Sequence, residues 1–259
     1  CLILPYMRNE PLDNYTLQYS AAPAQQLSTN GYHEPVTLPD ALPEILCITS
    51  YPPRECGIAT YSQDLLRALE RKFESSFTVK VCALETEYEQ HRYGEEVHST
   101  FNTSRSARYT EIATSINQNK HLAAVLIQHE FGFFHLHESD FEAFLFAITK
   151  PIILSFHTVF PHPDSMILRQ VRGMIAASAS VIVMTNTSAR ILIEDYGAAP
   201  EKITVIPHGT HLVPHLDKDT LKEKYGMPGR TILSTFGLLS AGKGIETTLE
   251  ALPAIIQAH

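Results

Sequence analysis

The sequence predicts an α/β protein: a doubly wound parallel sheet, followed by the opening of a second unit built the same way. Three observations predict it. From Glu44 onward, short runs rich in β-branched residues alternate with longer segments of helical period. The short runs are apolar nearly throughout, as befits parallel strands covered on both faces. The rhythm breaks once, at a polar stretch holding Pro214, Gly226, Pro228 and Gly229, and then restarts.

The strand candidates are EILCITS (44–50), FTVKVCAL (77–84), AAVLIQHE (123–130), PIILSFHT (151–158), ASVIVMT (179–185) and KITVIP (202–207). Between the first two, Ile58, Tyr61, Leu65, Leu69 and Phe73 fall on one helical face. Further helices are expected near 105–119, 139–149, 165–177 and 187–196, the last stopped by Tyr196-Gly197. Repeated strand–helix–strand units imply right-handed crossovers. The polar stretch is expected to carry one short helix (217–225). After it, TILSTFG (231–237) reads as a new strand, and Gly242-Lys243-Gly244 leads into a new helix. The domain reading is therefore an extension over 1–43, a main domain over 44–212, a linker over 213–229 and the start of a second domain over 230–259. The extension is rich in Pro, Gln, Asn, Ser and Thr and shows no sustained period. The first residue is Cys rather than Met and the last segment stops inside a helical pattern, so the chain is expected to be a piece with a truncated second domain.

Composition narrows the partners. With 259 residues, 44% of them hydrophobic, the chain can bury a large core. Its 28 acidic and 20 basic residues give a net charge of -8 with no Lys/Arg-rich run, so no nucleic-acid partner is expected. A small polyanion is still allowed, because local groups hold it. Cys47 and Cys82 lie in apolar runs, and none of the four cysteines has a CxxC spacing, which suits a reducing cytoplasm. No run approaches the ~20 apolar residues of a membrane span, and CLILPYM has the wrong flanks for a signal peptide.

In open α/β sheets, ligands collect at the carboxyl ends of strands, so the residues there are the site candidates. Gly57 opens the first helix, where its backbone can approach a ligand facing the amides and the helix dipole; the plainer alternative is a tight turn. His129-Glu130 ends the third candidate strand beside a run of phenylalanines, and could either hold polar ligand groups or be structural. His157 and Thr158 end the fourth, where an imidazole could bond a hydroxyl or a phosphate, or equally well be structural. Ordinary capping accounts for one of the hydroxyls of Thr185-Asn186-Thr187-Ser188. His208-Gly209 closes the sixth. Gly237, Lys243 and Gly244 flank a glycine-rich turn whose amides and ammonium could seat a diphosphate, although the spacing is not that of a Walker A loop. There are thirteen histidines but no HExxH and no carboxylate-rich partner set, so no metal is expected. There is no GxSxG elbow either.

In this order, the Gly57 turn, SFHT (155–158), VMTNTSARILIEDYG (183–197), KITVIPHGT (202–210) and FGLLSAGKGIETTLEALP (236–253) resemble the group 1, family 4 retaining glycosyltransferases. The resemblance covers roughly 44–259 and implies the GT-B fold of two Rossmann-like domains. It implies an acceptor-side first domain and a donor-side second one. It implies metal-independent transfer of a hexosyl group from a nucleotide-sugar, as substrate rather than cofactor, to a carbohydrate or glycolipid acceptor. Cytoplasmic location follows, with peripheral contact at the inner membrane face allowed. By this resemblance the Gly57 loop and Lys243 serve the donor phosphates and His157 lies near the transferred sugar. Gly237 and Gly244, on the glycine-rich turn, are expected at the phosphates too, and His129, Glu130, Thr158 and His208, at strand ends, are expected to bind sugar or acceptor. Two departures stand out. His208 replaces the family's usual amide, and Gly237-Leu238-Leu239 replaces Gly-Arg-Leu, which removes one of the expected phosphate-binding cations. The family's paired glutamates are expected beyond His259, since Glu246 and Glu250 come too early. The fragment is therefore expected to be inactive alone. The competing readings are a non-catalytic carbohydrate or nucleotide-sugar binding module and a GT-B-like epimerase or phosphorylase.

Overall fold

The structure, a computed structural model, describes residues 42–209, 214–237 and 243–258. The extension over 1–43 therefore lies almost wholly outside the described residues. The chain divides into two compact units, one over Pro39–Leu212 and the other including Val213–His259.

The larger unit is a sheet of seven strands, all parallel: β1 (Glu44–Thr49), β2 (Thr78–Glu85), β3 (Val97–Asn102), β4 (Leu122–His129), β5 (Ile152–Phe156), β6 (Ser180–Val183) and β7 (Ile203–Val205). Their spatial order is β3-β2-β1-β4-β5-β6-β7. That order reverses direction between β1 and β4, the mark of a doubly wound Rossmann-like sheet. The helices of this unit are α1 (Gly57–Phe73), α2 (Ser106–Gln118), α3 (Glu138–Ala147), α4 (Ser165–Ala177) and α5 (Asn186–Glu194). The middle strands bury whole runs, such as Val125 through His129, because helices cover both faces.

β3 escapes a reading of apolar runs. It is an edge strand, paired only to β2, and of VHSTFN only Phe101 is buried. An edge strand with one neighbour tolerates polar side chains that a central strand would not.

α1 also differs from its expected face. Its buried residues are Ala59 and Ser62, while Phe73 is 44% exposed. The small pair lets the helix lie close to β1, where Ser62 Oγ and Thr49 Oγ1 are 2.6 Å apart. Caps follow local chemistry: Asp164 accepts the amides of Met166 and Ile167 at the start of α4, and Thr185 accepts that of Ser188 at α5. The Thr185 hydroxyl is thus accounted for without a ligand. At the other end of α4, Lys202 Nζ donates to the carbonyls of Ile175 at 2.9 Å and Ser178 at 2.8 Å.

The core gathers around rings. Phe141 is fully buried and stacks on Phe134 at 3.8 Å between centroids. Cys47 and Cys82 are buried, and burial pushes their thiols up to about 12 and about 11.

The second unit contributes α6 (Lys218–Lys224) and α7 (Ile245–Ala258), neither with a buried residue. The strand expected at 231–237 is not formed: these residues pair with no strand among the described residues. A β segment without a partner has no ladder to stabilise it.

Candidate functional site

The loops after β1, β4 and β5 meet where the strand order reverses, the crevice in which such sheets hold ligands. α1 begins there. Its N-cap, Cys56, makes no side-chain hydrogen bond, and its first turn has no acidic residue. The leading amides of this 17-residue helix therefore have no side-chain cap, and no carboxylate in its first turn offsets the positive end of the dipole. Gly57 stands at this end, and a Cβ built on it meets nothing within 4 Å.

One turn along α1, Tyr61 places its ring edge-to-face against two imidazoles. His157 lies 5.1 Å away and His208 also 5.1 Å away, with the two histidines 6.1 Å apart. His157 follows β5 and stays in the ladder, since its amide donates to the His129 carbonyl at 3.0 Å. Its Nε2 lies 2.8 Å from Gln128 Oε1. Burial, then the neighbouring His208, lowers its pKa to about 4. At neutral pH the ring is uncharged.

Beside it, Glu130 accepts the Thr158 hydroxyl at 2.6 Å and the Phe131 amide at 3.1 Å, joining the loops after β4 and β5. His129 does not reach this surface. It is 1% exposed, ringed by Phe131, Phe134, Phe141 and Phe156, and burial lowers its pKa to about 3. Its side chain cannot touch a ligand here, because it alternates to the apolar face of the sheet.

Four buried polar atoms in this region make no hydrogen bond: Ser50 Oγ, Gln128 Nε2, His129 Nδ1 and Ser155 Oγ. Each such atom costs about 1–3 kcal/mol. All four lie at or just past the carboxyl ends of β1, β4 and β5. Two loop residues there, Leu136 and His162, also hold positive φ, 67° and 50°. Unsatisfied polar groups and backbone strain gather where function outweighs stability.

In the second unit, Gly237 and Gly244 adopt φ of 118° and 64°, conformations that favour glycine, and Lys243, just before Gly244, is exposed. The residues 238–242 of the expected turn lie outside the described ones. Among the described residues, no group of three His, Cys, Asp or Glu side chains could hold a metal ion, and no helix is long and apolar enough to cross a membrane.

The Glycosyltransferase Family 4 profile matches residues 56–213, more than half of the chain. The chain belongs to Glycosyltransferase Family 4. Among solved structures, it is similar to a glycosyltransferase from Rickettsia africae ESF-5, with 15% identity and a TM-score of 0.50, over 83% of this chain and 57% of that one. The chain thus spans little more than half the length of that enzyme. A looser overlap joins it to an alpha-glucosyltransferase in complex with UDP-glucose and DNA containing an abasic site, with 9% identity and a TM-score of 0.41, over 63% of this chain and 41% of that one. No curated protein matches the chain in sequence.

Two residues of the candidate site were not singled out from the sequence. Gln128 is the lone amide in the run AAVLIQHE, and a polar side chain in a strand covered on both faces demands a partner. That demand was the available signal. Tyr61 reads as one more apolar residue on a helix face, and nothing in the sequence shows that its ring meets two histidines from distant loops.

Proposed function

We propose that this family member takes part in retaining transfer of a hexosyl group from a nucleotide-sugar donor to a carbohydrate or glycolipid acceptor. The observation that carries the reading is the uncapped start of α1 at the sheet's reversal point, with His157 held one turn away by Tyr61. Amides and dipole there suit the donor phosphates, and Gly57 keeps the approach open. The neutral His157 orients the sugar through a hydrogen bond and does not act as a general base. Glu130, Thr158 and His208 serve the sugar or the acceptor. On the second unit, Lys243, with Gly237 and Gly244, serves the diphosphate.

In the reaction, the bond from the anomeric carbon to the diphosphate oxygen breaks, and the acceptor oxygen bonds that carbon on the same face. The electron pair leaves with the nucleoside diphosphate, whose growing charge the α1 amides stabilise. The acceptor proton departs with that leaving group. No metal is required.

In the full-length protein, Lys243→Ala is expected to slow transfer by roughly 10²–10³-fold. His157→Ala is expected to slow it by roughly 10²-fold through lost orientation. Full transfer by the His157→Ala protein would remove that residue from the mechanism. The second reading, a module that binds without transferring, draws on α6 and α7, which bury no residue. Donor titration alongside product analysis separates the two: binding with neither glycoside nor free epimer formed favours the module.

A further inference from the structure

His157 has two ring nitrogens, and they offer a ligand opposite chemistry. A neutral imidazole carries one proton, so one nitrogen donates and the other accepts. The atom facing Nε2 decides which is which. That atom is Gln128 Oε1, 2.8 Å away, and a carbonyl oxygen can only accept. Gln128 is fully buried on β4, with Ser155 of β5 opposite it in the register. Burial keeps the amide beside the ring, and with Oε1 turned toward Nε2 the bond needs its proton on Nε2. Tyr61 and His208 fix the ring from the other directions: Tyr61 meets it edge-on, with interplanar angle 83°, and His208 lies tilted at 50°.

We propose that Gln128 is a positioning residue that holds the His157 proton on Nε2, so that Nδ1 meets the ligand as a hydrogen-bond acceptor. A lone pair at Nδ1 bonds a hydroxyl, which can donate, and repels an ionised phosphate oxygen, which cannot. His157 thereby recognises a sugar hydroxyl and not the diphosphate. The inference rests on the glycosyl-transfer reading for the identity of that hydroxyl. The tautomer itself does not depend on it. The arrangement also accounts for a polar residue in the middle of the sheet, whose second amide atom, Nε2, remains unsatisfied. A device that costs stability and orients a ring one turn from an open helix end serves the site more than the core.

The test is magnetic resonance of the full chain labelled with 15N at histidine, with the His157 signals assigned by their loss in His157→Gln. In the unmodified protein, a proton on Nε2, protected from exchange with water, is expected. Gln128→Met removes the acceptor, and the protected resonance is expected to disappear. Gln128→Glu keeps an acceptor and adds negative charge, so the resonance is retained and the His157 titration midpoint rises. A side chain that merely filled space would leave all three readings unchanged. A proton on Nδ1 in the unmodified protein overturns the inference, and so does a protected Nε2 proton that persists in Gln128→Met. Because the first reading needs no variant, a Gln128→Met protein that failed to fold would leave it decisive. Donor binding without any transfer by the unmodified full chain would instead defeat the functional reading and leave the tautomer as measured.

Discussion

KITVIP (202–207) and TILSTFG (231–237) are written in the same β-branched alphabet, yet only the first yields a strand. Ile203, Thr204 and Val205 lie beside Val181, Ile182 and Val183 of β6, and Ile203 and Val205 pack on the main core. The later segment has no such neighbour among the described residues. Ile232 is 47% exposed, Leu233 64% and Phe236 92%. The difference teaches that β-branched character supplies a capacity for pairing, and that the neighbouring strand converts capacity into structure. The same contrast runs through the helices. α3 buries Phe141, Phe144 and Leu145 against a sheet, whereas α7, of similar apolar content, buries nothing.

The largest expected effect tests that contrast directly. Phe141→Ala removes a fully buried ring stacked on Phe134 and should cost about 3–5 kcal/mol, read from the urea midpoint of the sheet unit. Leu249→Ala truncates a side chain 59% exposed on α7 and should change that midpoint by less than about 0.5 kcal/mol. Equal losses at the two positions would show that α7 is as deeply packed as α3 and would break the comparison.

The next effect is a matter of protons. His129 titrates near 6.5 when unfolded and is lowered to about 3 by burial among phenylalanines, so below pH 6.5 the unfolded chain binds a proton that the folded one refuses. Its contribution to stability is intact above the unfolded value and is lost as pH falls toward 3. Between pH 7 and pH 5, this residue alone should account for about 2 kcal/mol of lost stability. His157, lowered to about 4, adds to the same slope. In His129→Phe the slope should flatten by the His129 share, measured by urea unfolding at the two pH values. An unchanged slope would mean that the imidazole is not held neutral in the core.

A smaller effect is expected at Lys202. Its ammonium satisfies carbonyls at the end of α4 and complements the helix dipole, so Lys202→Met should lower the thermal stability of the sheet unit by about 1–2 kcal/mol. The surface lysines of α6 serve as the contrast, since Lys222→Met should have no measurable effect on that unit.

How much of this was legible in the sequence depended on whether a residue's reason lay within its own element. Five of the strands could be read because central parallel strands are apolar on both faces, and a sixth, the edge strand β7, because its Ile203-Thr204-Val205 run is β-branched. β3 could not, because an edge strand need not be apolar. The strand expected at 231–237 failed for the converse reason, as a local pattern says nothing about a partner. The candidate site divides the same way. Gly57 and His157 follow from their places at strand ends, whereas the burial of His129 depends on which face of β4 it occupies, and its four aromatic neighbours come from three separate stretches of chain. Tyr61 was hidden because its contacts join a helix residue to His157 and His208 on two distant loops.

The smallest stability effect is expected at Gly57, and it separates two reasons for being glycine. In the second unit, Gly244 has φ of 64°, so the backbone itself asks for glycine, and Gly244→Ala should strain the turn by about 1 kcal/mol. Gly57 has an open Cβ direction and no positive φ, and it is the first residue of a helix. Nothing in the fold requires glycine there, and alanine is the better helix former, so Gly57→Ala should leave stability unchanged or raise it by less than about 1 kcal/mol. If a phosphate approaches the leading amides of α1, however, the added methyl stands in its way. The full-length Gly57→Ala protein should therefore fold normally and lose donor affinity, measured by calorimetric titration with nucleotide-sugar. Undiminished donor affinity in a well-folded Gly57→Ala protein would reduce Gly57 to a tight turn and move the phosphate seat elsewhere.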